Sequence, residues 1–134
     1  MIDATVLVIA KEPIAGLVKT RLCPPCEPGE AAAIARAALA DTLATVASVA
    51  VRRRVVVLDG APGAWLPAGF HVVPQCAGGL ADRLAAAFAA VEGPAFLVGM
   101  DTPQLTRAQI ERACRALHAP RVDAVIGRAE DGGF

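Results

Sequence analysis

The sequence predicts an α/β fold in three layers, in which a mostly parallel β-sheet carries helices on both faces. Short β-branched, apolar runs alternate along the 134 residues with longer helical patterns, and this alternation is typical of parallel sheets with helical crossovers. Hydrophobic residues make up 55% of the chain, which is enough for a core and unlike disordered sequences. We expect one domain over residues 1–134.

The first half of the chain predicts two strands and a helix. Residues 5–10 form a continuous apolar run and residues 54–59 read R-V-V-V-L-D, and we predict that both segments are buried strands. Between them, residues 11–28 are rich in Gly, Pro and charge and predict a long loop. A helix is predicted from Pro28, a residue suited to a first turn, to about residue 50. Its apolar residues at helical spacing are Ile34, Leu39, Leu43 and Val46.

The second half predicts three more strands, at residues 71–74, 95–99 and 122–127. A helix is expected after Gly79, and its predicted apolar face consists of Leu80, Leu84, Phe88 and Val91. Thr106 and Gln109 have the spacing of a capping box, which predicts the start of a third helix. The apolar residues of that helix are Ile110, Cys114 and Leu117.

Composition excludes several classes of function. Aromatic residues are 4% of the chain and the formal net charge is zero, which argues against binding to nucleic acid or to an anionic membrane. Residues 42–51 contain no charged residue, but this stretch is far shorter than the roughly 20 residues of a membrane span. We therefore expect no membrane span, and a cytoplasmic protein because the N-terminus lacks a signal pattern. Cys23 and Cys26 lack a second closely spaced pair, so we expect reduced thiols.

Residues 10–22, directly after the first strand, read A-K-E-P-I-A-G-L-V-K-T-R-L. Lys11, Lys19 and Arg21 bring three cations into one loop, and Gly16 lets the backbone turn sharply towards a ligand. Cations beside free backbone N–H groups suit a diphosphate or triphosphate. The alternative is an ordinary solvated basic loop. The Walker A and G-x-G-x-x-G patterns are absent.

Asp101 follows the fourth predicted strand, within V-G-M-D-T-P-Q-L. A carboxylate at the carboxyl edge of a buried strand can reach a ligand. Because Mg²⁺ is held by one or two carboxylates together with phosphate oxygens, Asp101 is a candidate metal ligand. The alternative is a turn before Pro103.

Two glycine-rich loops follow other predicted strands. Gln75 to Leu80 includes Gly79, which could hold the edge of a base or ribose, and Arg83 adds charge nearby. Asp131, Gly132 and Gly133 would let a carboxylate or the backbone lie against a ligand. A helix-start loop and a plain turn explain these two segments about as well.

Four motifs in this order resemble a bacterial family of GT-A-like glycosyltransferases, the DUF2064 type. They are the loop at residues 10–22, Q-C-A-G-G-L-A-D-R-L at 75–84, G-M-D-T-P-Q-L at 99–105 and D-G-G-F at 131–134. Some members of this family are described as arsenosugar-biosynthesis glycosyltransferases. The family is similar to 2-phospho-L-lactate guanylyltransferase and, more distantly, to the molybdenum-cofactor guanylyltransferases.

The resemblance implies the nucleotide-diphospho-sugar transferase fold, also called GT-A and Rossmann-like, with its C-terminal part missing here. It implies that Asp101 takes Mg²⁺ or Mn²⁺, that Lys19 and Arg21 act with it in catalysis, and that Asp131, Gly132 and Gly133 face the donor or acceptor. The nucleotide-binding residues under this reading are Ala10, Lys11, Gly16, Lys19, Arg21, Gln75, Gly79, Leu80 and Arg83.

The function expected from these residues is that of a metal-dependent transferase with a nucleotide-sugar donor and a small-molecule acceptor. One alternative is a guanylyltransferase-like nucleotidyltransferase that joins a nucleoside triphosphate to a phosphorylated small acceptor. The other is a non-catalytic nucleotide-binding module or an inactive fragment. A redox role for the Cys23–Cys26 pair is a remote third reading. The sequence leaves a homo-oligomer open.

Overall fold

A computed structural model describes residues 1–130 of the chain. Its sheet contains four parallel strands in the order β3-β2-β1-β4. The strands are β1 (Ile2–Lys11), β2 (Val51–Asp59), β3 (His71–Pro74) and β4 (Ala95–Gly99). β3 and β4 have the predicted bounds, whereas β1 and β2 each begin three residues earlier than predicted because their first residues also pair in the sheet.

Three α-helices cover the sheet, α1 (Pro28–Ser48), α2 (Leu80–Ala89) and α3 (Arg107–Ala116). α1 and α3 pack on one face, where Leu39 and Leu43 join Ile110 and Cys114 in one core cluster. α2 packs on the opposite face, where Ala87 contacts a second cluster. The predicted three-layer α/β/α arrangement with a parallel sheet is therefore confirmed.

The alternation of side chains along β1 explains why both faces of the sheet need a helical cover. Val6 and Val8 belong to the cluster beneath α1 and α3, whereas Leu7 belongs to the cluster beneath α2. All three are fully buried. Burial of one such side chain stabilises the fold by about 2 kcal/mol, so the two clusters hold the carboxyl end of β1 rigidly in place.

α1 is long and apolar enough to cross a membrane by length and composition, with a mean hydropathy of 1.2. The sequence predicts no membrane span, and a single helix of this kind is only weak evidence for one. The buried residues Leu39, Leu43 and Val46 lie along one side of the helix against the sheet. Because a core helix of a globular protein meets the same criterion, we interpret α1 as part of the core.

The predicted fifth strand at residues 122–127 is wrong. These residues are described, and they form no strand. Val125 and Ile126 are 41% and 65% exposed, so the apolar run is not buried. β-propensity reports how well side chains suit a pleated surface and does not supply a pairing partner. Within residues 1–130, only β1 pairs with β4, so the other edge of β4 remains open.

The predicted apolar faces of two helices are only partly buried. Phe88 and Leu80 of α2 are 45% and 60% exposed, and Ile34 of α1 is 45% exposed. All ten residues of α2 are described, and Ala87 is the one that is buried. Helical spacing identifies apolar residues that share one side of a helix, but it does not show which side packs against the sheet. A small alanine allows close approach, and the larger side chains beside it then stay outside.

The capping box predicted for α3 is present. The Thr106 hydroxyl accepts a hydrogen bond from the Gln109 backbone N–H at 3.3 Å, and Gln109 Oε1 accepts one from Thr106 N at 2.8 Å. We expect Thr106→Ala to lower the free energy of unfolding by about 1 kcal/mol, measured by urea denaturation. Thr106→Ser keeps the hydroxyl and should lower the free energy of unfolding much less. Equal losses of stability in the two variants would contradict the capping role.

Candidate functional site

The order of the strands reverses beside β1. From β1 the chain moves to β2 and β3 on one side, and then returns to place β4 on the other side of β1. In open parallel sheets, ligands bind at such a reversal, beyond the carboxyl ends of the strands. The loop after β1 and the turn after β4 therefore flank the expected binding crevice.

Local packing positions Lys19 in that loop. The preceding residue, Val18, is 6% exposed and packs against Ala32 and Ala35 of α1. Lys19 itself has left-handed backbone angles, φ 47° and ψ 37°, and directly precedes a short 3-10 helix at Thr20–Leu22. The buried valine anchors the loop on α1, and the backbone turn at Lys19 then directs the chain into the 3-10 helix.

Asp101 lies two residues past the end of β4, and the structure brings it against Lys19. Lys19 Nζ is 2.9 Å from Asp101 Oδ1, and the two side chains are 25% and 63% exposed. Opposite charges thus meet across the crevice at the strand reversal, as the proposed phosphate and metal roles require. The contact leaves both groups within reach of a ligand in solvent, and their ligand roles stay predictions.

A second group of predicted site residues forms a hydrogen-bonded network. Gln75 Nε2 donates to Ala10 O at 2.7 Å, and Gln75 Oε1 accepts from Arg83 Nη1 at 3.2 Å. Arg83 Nε also donates to Gly79 O at 3.4 Å, at the start of α2. The network ties the loop after β3 to the end of β1. These bonds occupy the Gln75 amide. To make the predicted contact with a nucleotide, Gln75 would have to give up one of these hydrogen bonds.

The remaining predicted residues are exposed or outside the described part. Lys11 and Arg21 are exposed, and neither forms an ion pair within residues 1–130. Gly16 has φ +83° with open space around it, and Leu80 is 60% exposed. The predicted donor or acceptor residues lie outside the described residues; they are Asp131, Gly132 and Gly133.

A family profile described as "Uncharacterized protein conserved in bacteria (DUF2064)" matches residues 33–134, more than half of the chain. The chain belongs to the DUF2064 family. No curated protein matches it.

Among solved structures, this DUF2064 chain is similar to a "putative nucleotide-diphospho-sugar transferase" from Desulfovibrio desulfuricans G20. The TM-score is 0.82 at 26% sequence identity, and the match covers 98% of this chain and 61% of that one. The chain has the fold of nucleotide-diphospho-sugar transferases, and it spans about three fifths of the solved neighbour's length.

The donor groups in the crevice fit a metal ion only together with a phosphate ligand. Within residues 1–130 of this DUF2064 chain, no three His, Cys, Asp or Glu side chains converge on one point. Asp101 is therefore a single carboxylate, mostly exposed and paired with a lysine. Mg²⁺ commonly keeps waters and binds one or two carboxylates plus substrate phosphates. The described residues suit that arrangement and do not form a metal cage of their own.

Glu12 has a structural role that the sequence analysis missed. Its backbone N–H donates to Asp59 O at 2.8 Å, and its carboxylate Oε1 accepts from the Ala61 N–H at 2.7 Å. Glu12 thereby connects the loop after β1 to the loop after β2. The sequence gives little indication of this role, because a glutamate between a lysine and a proline is typical of an ordinary solvated loop.

The four cysteines of the DUF2064 chain are free thiols. Cys114 is fully buried in α3, and burial raises the pKa of its thiol. A buried thiol with a raised pKa is a poor nucleophile and metal ligand. Cys23 and Cys26 are half-buried beside the 3-10 helix and form no disulfide.

Proposed function

We propose that this chain is the nucleotide-binding part of a metal-dependent transferase that uses a nucleotide-sugar donor. The observation that carries the proposal is the contact of 2.9 Å between Lys19 and Asp101 at the strand reversal. The cation there could bind the phosphate oxygens of a metal-bound diphosphate, and the carboxylate could bind its metal ion. The name of the solved neighbour supports the same class of donor.

The loop after β1 would bind the diphosphate. Lys19 would exchange its contact with Asp101 for phosphate oxygens, and the exposed Arg21 and Lys11 would add charge-assisted hydrogen bonds. The open space at Gly16 leaves its backbone accessible to the ligand. These cations would also stabilise the charge that builds on the diphosphate as the bond to the sugar breaks.

Asp101 would hold a divalent cation on the opposite side of the diphosphate. Mg²⁺ or Mn²⁺ bound there would neutralise phosphate charge and assist the leaving group. With that cation present, Asp101 contributes attraction to the ligand; without it, the carboxylate repels the phosphates. Its 63% exposure leaves room for water ligands on the cation.

The first test is titration calorimetry of the chain with UDP, GDP and CDP in the presence of Mn²⁺. We expect saturable binding of at least one of them, and Lys19→Met should weaken it about tenfold because a charge-assisted contact is lost. Arg112→Gln is the matched control, because Arg112 is an exposed cation on α3. No binding of any of the three, or equal effects of the two substitutions, would contradict the proposal.

A further inference from the structure

A cavity of about 520 Å³ opens beside the crevice and contains none of the residues of the proposed diphosphate site. It lies between the loop after β1, the exposed side of α1 and the loop after β2. The residues that line it include Glu12, Ile14, Arg36, Gly63 and Trp65. Its volume is within the range of small-molecule sites, roughly 300–1,000 Å³.

Of the two charged groups in the cavity, the Glu12 carboxylate is held in place and the Arg36 guanidinium is exposed, so both are able to bind a ligand. The Ala61 N–H holds Glu12 Oε1 at 2.7 Å, so the carboxylate stays in place while its second oxygen can accept another hydrogen bond. Arg36 is an exposed guanidinium on α1, and within residues 1–130 it forms no ion pair. The cavity thus contains an oriented acceptor and, at Arg36, an exposed cation that belongs to none of the ion pairs of residues 1–130.

The apolar surface comes from Trp65, the one tryptophan of the chain, together with Ile14. Trp65 is half-buried and packs partly on the core, so its ring is held rather than free in solvent. A Cβ at position 63 would lie 2.8 Å from Trp65 Nε1. The glycine therefore provides the space in which the indole rests.

We propose that this cavity binds a sugar ring carrying an acidic group, either a phosphate or a carboxylate. The C–H face of the ring would lie on the Trp65 indole, a large apolar surface that is already held in place. Glu12 would accept hydrogen bonds from hydroxyl groups, and Arg36 would bind the acidic group through its planar fork. A plain anion would not use all three groups.

The cavity and the diphosphate site share one loop. Glu12 and Ile14 precede Lys19 in it, and Arg36 follows Ala35, on which Val18 packs. The bound sugar would therefore lie next to the donor, in the position of an acceptor. This last step rests on the proposed function, whereas sugar binding itself does not.

The test uses the fluorescence of Trp65, which reports on this cavity without interference because the chain has no other tryptophan. We expect saturable changes with glucose 6-phosphate and with glucuronate, and binding about tenfold weaker for neutral glucose. Arg36→Gln should remove the preference for the acidic sugars, and Arg112→Gln should leave it intact. Gly63→Ala, which displaces the indole, should weaken binding of both acidic sugars.

Three results would overturn the proposal. They are no saturable change up to about 20 mM of either acidic sugar, a preference that survives in Arg36→Gln, or an equal response to inorganic phosphate alone. Circular dichroism of each variant excludes unfolding as the cause. Lys19→Met should leave this titration unchanged, so loss of nucleotide binding with intact sugar binding would reject the proposed function alone.

Discussion

Replacing Asp101 by asparagine is expected to weaken binding of a nucleoside diphosphate in Mn²⁺ by about 100-fold. Asparagine keeps the size of the side chain but loses the negative charge that a divalent cation requires, and even changes to groups around a metal ligand cost 10–100-fold in affinity. The same substitution releases Lys19 from its contact of 2.9 Å with Asp101. In EDTA, binding should therefore be unchanged or tighter than that of the unmodified chain.

The experiment is decisive because the loss of affinity is expected in Mn²⁺ and not in EDTA. Titration calorimetry with Mn²⁺ and with EDTA would measure both affinities for each variant. Asp41→Asn is the matched control, because Asp41 is an exposed carboxylate on α1 in none of the ion pairs of the described residues. Equal losses with and without metal would assign Asp101 a structural role, and an unchanged affinity in Mn²⁺ would remove it from the site.

The layers of the fold were predictable because local patterns and global packing agree along most of the chain. β3 ends at Pro74 and β4 ends at Gly99, and both strands lie where predicted. Residues 122–127 have the same apolar character but form no strand. A strand exists only when a neighbour completes its hydrogen bonds, and no local pattern identifies that neighbour.

The candidate site was predictable to the extent that strand ends determine it. Lys19 and Asp101 follow β1 and β4, and parallel strands present their carboxyl ends at one edge, so the contact follows from topology. The cavity at Trp65 was not predictable. It depends on Glu12 reaching Ala61 across 49 residues of sequence, and on the packing of a loop without regular structure.

Gly60→Ala is expected to lower the free energy of unfolding by about 3 kcal/mol. Gly60 has φ +119°, where an L-residue is strained, and a Cβ there would lie 2.5 Å from Glu12 Cβ. Glu12 cannot easily move away, because its backbone bonds to Asp59 O and its carboxylate to the Ala61 N–H. Urea denaturation followed by circular dichroism measures the loss.

Gly69→Ala separates the two causes of this loss. Gly69 also has a positive φ, +89°, but a Cβ there would meet no atom within 4 Å. The substitution should therefore lower the free energy of unfolding by about 1 kcal/mol, which is the cost of the backbone strain alone. Equal losses in the two variants would mean that Glu12 yields to the new methyl group. The loop after β2 would then not be held by Glu12, and the cavity beside Trp65 would lose the contact that shapes it.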